Sequence, residues 1–144
     1  MVDPHFVQDH EEPELWAAEQ VSFAADRPPI HVMMQTAGEA PTAYGLRNLK
    51  VLLGALDERI EAAAELLLEN YSRDDWLKQG APADQLPPND SVSAMKSRAT
   101  LRAVWLFDED AEDYELWFTL PWDDEHTYDV EFQGGQPISC TVND

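Results

Sequence analysis

Apolar residues recur at two different periods along this chain, and the change of period limits what it can fold into. Leu49, Leu52, Leu53, Leu56, Ile60, Ala63, Ala64, Leu67, Leu68 and Tyr71 follow one another mostly at steps of three and four. That spacing forms one stripe of a helix, with Asp57, Glu58, Glu61, Glu65 and Glu69 on the other side. A helix over 48–71 would be about 36 Å long at ~1.5 Å per residue. Thr42 or Asn48 is suited to cap its start. The stripe stops after about three heptads, so it reads as a core helix lying on a sheet rather than a coiled coil.

From residue 101 the step falls to two. Leu101, Ala103, Trp105 and Phe107 alternate with Arg102, Val104 and Leu106. Tyr114, Leu116, Phe118 and Leu120 alternate with Glu115, Trp117 and Thr119, and Tyr128, Val130 and Phe132 alternate with Asp129, Glu131 and Gln133. Ile138, Cys140 and Val142 form a last alternating run. These are strand periods, and Gly134-Gly135 supplies a primed hairpin turn between the last two. Pro137 lacks a backbone donor and suits an edge strand. Two further strands are expected near 15–23 and 29–35, joined by a turn at Asp26-Arg27-Pro28-Pro29. Residues 79–90, rich in proline, read as a loop, and 91–98 as a short helix capped by Ser91. The expected fold is α+β: an N-terminal hairpin and a C-terminal four-stranded antiparallel meander packed on one long amphipathic helix. One sheet face should be apolar and covered, and the other acidic and wet. The length of 144 residues suggests one domain over 1–144, with 1–14 as a loose N-terminal segment.

The chain carries 29 acidic against 9 basic residues, a net charge of −20. Residues 108–144 hold twelve carboxylates and no Lys or Arg. A surface of one sign selects partners through its field, which argues against nucleic acid and anionic membranes and permits a basic protein partner or cations. Salt adaptation of a housekeeping domain is the plain alternative. It calls for an even spread of acids, whereas 81–107 hold two acids and three bases. A single cysteine, Cys140, rules out an intrachain disulfide framework, and no signal-peptide pattern or long apolar run is present, so a cytoplasmic protein is expected.

No catalytic or cofactor motif stands out. Ser93-Ala94-Met95-Lys96 matches a Ser-x-x-Lys nucleophile pattern, but its companion elements are absent. His5, His10, Glu11 and Glu12, or Asp123, Asp124, Glu125 and His126, offer ligand types for a metal without a metal-site spacing. Asp108-Glu109-Asp110 begins like a calcium loop, but Asp113 stands where that loop needs glycine. Cys140 sits in an apolar row and reads as structural. Trp117 shares its strand face with Glu115 and Thr119, where it is either covered by the N-terminal hairpin or exposed as an interface anchor.

The run Trp122-Asp123-Asp124-Glu125-His126-Thr127-Tyr128-Asp129-Val130-Glu131-Phe132, followed by a glycine turn, resembles the C-terminal signature of a family of uncharacterised bacterial domains. In that family a strand leads into Trp-Asp-x-Glu-(His or Asn)-Gly-Leu and a final hairpin; Thr127 and Tyr128 stand here at the Gly and Leu positions. The resemblance implies the same order of elements and an immunity-protein-like role. The expected function is therefore non-enzymatic: an immunity- or antitoxin-type inhibitor that occludes a basic toxin or effector. Its partner surface would comprise Glu115, Trp117, Trp122, Asp123, Asp124, Glu125, Asp129 and Glu131. A small metal-dependent hydrolase built on the Asp123–His126 cluster is the alternative.

Overall fold

Every α-helix among the described residues falls in one connection, and this decides which side of the sheet is covered. The computed structural model describes residues 4–144. Strands β1 (Val7–Gln8), β2 (Leu15–Val21) and β3 (Ile30–Gln35) come first. Helices α1 (Ala43–Glu69), α2 (Arg73–Lys78) and α3 (Val92–Arg98) follow, with a 3-10 turn at Ala83–Gln85. Strands β4 (Thr100–Phe107), β5 (Asp110–Leu120), β6 (Asp123–Gln133) and β7 (Gln136–Asn143) close the chain. Among the described residues no helix is long and apolar enough to cross a membrane.

The fold is α+β, as expected, but the sheet differs from a hairpin plus a separate meander. It is one seven-stranded sheet in the order β1-β2-β3-β4-β5-β6-β7. The β3–β4 pair is parallel and all other pairs are antiparallel. Parallel neighbours need a crossover, and the helical connection supplies it. Joining the hairpin to the meander buries Val32 beside Val104 and Met34 beside Leu106, and it removes two exposed edges. Of the N-terminal segment expected to be loose, residues 1–3 lie outside the described residues. Val7–Gln8 pair with Trp16 and Ala17.

The core lies between α1 and the sheet. Leu49, Leu56, Ile60 and Ala63 on α1 are fully buried, as are Val32, Met34, Val104, Leu116, Phe118, Val130 and Phe132 on the strands. Burying each large side chain contributes about 1.5–3 kcal/mol. Thr42 caps α1, its hydroxyl accepting from the Gly45 amide at 3.1 Å. The Thr42 amide and hydroxyl both donate to Asp108 Oδ1, at 2.8 and 3.1 Å. Asp108 is buried, so the β4–β5 turn delivers a carboxylate to the positive end of the helix. Gly45 makes the approach possible, because a Cβ there would overlap the Asp108 carboxylate. Ser91 caps α3 by accepting from the Ala94 amide at 3.1 Å. Gly134 and Gly135 have φ of 58° and 75°, as the two-residue turn between β6 and β7 requires.

Candidate binding face

Residues paired across neighbouring strands turn their side chains to the same side of a sheet, so register assembles the face that carries no helix. One row runs Ala17, Met33, Trp105, Glu115, Glu131 and Ser139. The next runs His31, Ala103, Trp117, Asp129 and Thr141. The face thus changes from apolar over β2–β4 to acidic over β5–β6, and two tryptophans mark the border. Trp105 arrives there through a register shift between Leu101 and Ala103, after which Val104 and Leu106 point to the helices and Trp105 points away. The hairpin extends the sheet and does not lie over Trp117.

Trp105 and Trp117 have ring centroids 5.7 Å apart at an interplanar angle of 35°, and both rings are half-buried. The Trp117 indole N–H donates to Glu115 Oε1 at 3.2 Å, which fixes the ring against its neighbour. Ser139 donates its hydroxyl to Glu131 Oε2 at 3.3 Å. Asn143 donates its amide to Asp129 Oδ2, while Asp129 Oδ1 is buried without a hydrogen-bond partner. Burial first, and then the Glu115 charge, push the Asp129 carboxyl up to about 6, against the opposing pull of Asn143.

Most basic residues stand off the strands. Arg47, Lys50, Arg59, Arg73, Lys78, Lys96 and Arg98 stand on helices and Arg27 in the β2–β3 loop. Arg102 is the only one on a strand, and its Nε donates to Thr119 Oγ1 at 2.9 Å. Glu115, Asp129 and Glu131 therefore form an acidic group for which the fold supplies no ion pair among the described residues.

The remaining expected site residues lie apart from this face. Trp122 is buried, its ring 5.4 Å from Tyr71, so it belongs to the core. Asp123, also buried, accepts hydrogen bonds from the Tyr128 hydroxyl, from His126 Nδ1 at 2.8 Å and from the Glu125 amide at 3.3 Å. Burial opposes ionisation of Asp123, but these donors outweigh it and hold the carboxyl below its usual value. The hydrogen bond to Asp123 raises His126 above its usual value against some burial, and the charges of Asp123, Asp144 and Glu125 add to the rise. His126 Nε2 meets Asp144 Oδ1 at 3.2 Å, so both ring nitrogens are engaged by carboxylates. Asp124 and Glu125 are exposed beside this turn. Among the described residues no group of three or more His, Cys, Asp and Glu converges as a metal site.

Two other sequence features have structural partners. Lys96 Nζ pairs with Asp57 at 3.0 Å, which also holds Arg27 at 3.0 Å. Cys140 is half-buried on the helix side of β7, where burial and then the Asp129 charge raise its thiol. The sequence reading missed Trp105 on the open face, because the register shift that turns it outward leaves no mark in the apolar pattern. No family model, no curated protein and no solved structure matches this chain.

Proposed function

We propose that this chain is a non-enzymatic binding protein that uses its helix-free sheet face to cover a basic site on a partner protein, in the manner of an immunity- or antitoxin-type inhibitor. The observation that carries the reading is the Trp105–Trp117 pair bordered by Glu115, Asp129 and Glu131, on a face that no helix covers among the described residues. A rigid aromatic pair gives contact area at little entropic cost, and tryptophan is enriched among residues that dominate interface energies. The carboxylates steer a cationic partner, raising its association rate more than its final affinity. Asp129 gains most, since a cation near its carboxylate offsets the cost of holding that charge half-buried. The resemblance of 122–132 to immunity-like domains points the same way. In this reading the chain works in the cytoplasm, with Cys140 reduced.

The test is titration, followed by calorimetry, with any basic protein encoded beside this chain's gene, and a gene neighbourhood without one counts against the reading. A one-to-one complex is expected that weakens with salt and loses at least about tenfold in affinity in a Trp117→Ala, Glu131→Lys double variant. A neighbouring basic protein that ignores the chain, or binds the double variant equally well, would sink the reading.

A further inference from the structure

The edge strand β7 differs from the rest of this chain. Its eight residues, Gln136–Asn143, contain no charged side chain, although 26% of the chain is charged. Natural sheets guard free edges with charge, bulges or proline, and here Pro137 guards the first turn alone. The stretch Ile138–Asn143 is left open, with Ile138 and Val142 47% and 52% exposed. The two sides of this edge are different. On the open face β7 presents small Ser139 and Thr141, and directly behind them stand Glu131 and Asp129. On the helix side lies a recess of about 160 Å³, lined by Leu67, Tyr71, Trp76, Tyr128, Cys140 and Val142.

We infer that β7 accepts a strand: an extended segment of the basic partner, alternating basic and apolar residues, adds to the sheet along Ile138–Asn143. This rests on the binding role proposed above and gives that role a docking geometry. An added strand lies about 4.8 Å from β7 and sends alternate side chains to opposite faces. Its basic residues cross over Ser139 and Thr141 to reach Glu131 and Asp129, and its apolar residues turn to the helix side, where one fills the recess. Main-chain hydrogen bonds hold the segment, and the two rows of side chains select it. Charge decides against a second copy as occupant: pairing β7 with β7 would bring two chains of −20 together with their Asp129 and Glu131 rows on one sheet.

The test uses a dye-labelled peptide of alternating Lys and Val, followed by fluorescence anisotropy with the full chain. Two further peptides carry N-methyl groups on alternate residues, one in each phase. Strand addition predicts that one phase binds as the parent does and the other loses at least tenfold, because only one edge of the peptide faces β7. It also predicts that Val142→Lys loses about tenfold, that Glu131→Gln weakens binding several-fold, and that amide shifts in the labelled protein centre on β7. Equal binding by both N-methylated peptides would overturn strand addition, while loss of that binding in Trp117→Ala would leave the face reading standing. Failure of every peptide to bind, or a concentration-dependent dimer of the chain abolished by Val142→Lys, would also overturn it. The face reading would then be judged by its own titration.

Discussion

At the first turn of α1 a missing methyl group makes room for a carboxylate. In an unobstructed helix Ala in place of Gly stabilises by about 1 kcal/mol. At Gly45 the sign reverses, because the new Cβ would displace Asp108 from the Thr42 amide and hydroxyl. Gly45→Ala is expected to lose about 1–3 kcal/mol in chemical denaturation. Asp129 offers a prediction in pH. Its folded value, about 6, lies above the ordinary 3.8, so the folded state holds the proton more tightly between those values. The stability this contributes is present at low pH and is lost as pH rises from about 4 through about 6. Asp129→Asn should remove that loss and gain about 1 kcal/mol at pH 7, reduced by its partial exposure, while binding a basic partner less tightly. Such a gain would show that Asp129 is not kept for stability. His126 shows the opposite arrangement. Its value is raised, so its contribution is present below about 6.5 and lost as pH climbs through the folded value. An NMR titration should find its midpoint above the ordinary range and returning towards it in Asp123→Asn.

At the scale of elements, α1 is held by its apolar stripe, and Leu56→Ala should cost about 2–5 kcal/mol in the same denaturation experiment. That stripe was legible in the sequence because a 3.6-residue period over many turns has few other readings. The caps at Thr42 and Ser91, the glycine turn and the four C-terminal strands were legible for the same local reason. What escaped was non-local or too short to repeat. A six-residue helix such as α2 and a two-residue strand such as β1 are too short to repeat a period. The parallel β3–β4 pairing depends on two segments separated by the whole helical connection, and the alternation within each strand is the same with or without a neighbour. Of the candidate site, Glu115, Trp117, Asp129 and Glu131 were legible from alternation alone. Trp122 and Asp123 were not, because both lie at the β5–β6 turn, where a further register shift between Phe118 and Leu120 breaks the alternation. Trp105 stayed hidden because its strand is apolar in both phases.

For the whole molecule the dominant long-range term is self-repulsion at a net charge of −20. Added salt should raise the thermal midpoint by about 3 °C for each kcal/mol of repulsion screened, while weakening any complex with a basic partner. Two opposite responses to one variable, read by thermal denaturation and by calorimetry on the same samples, separate the charge that burdens the fold from the charge that serves recognition. The helical connection has a consequence of another kind. Residues 36–99 enter as one uninterrupted insert between two adjacent parallel strands, and they supply the helices that cover the sheet. The bare side is written almost wholly in the stretches before and after that insert. Substitutions within the insert can therefore repack the helical half of the core without touching the open face, which varies with the strands. A helical segment grafted from another sequence, matched only in length and apolar stripe, would leave the bare side as it is. The architecture separates the part of the chain that covers the core from the part that meets solvent on the open face.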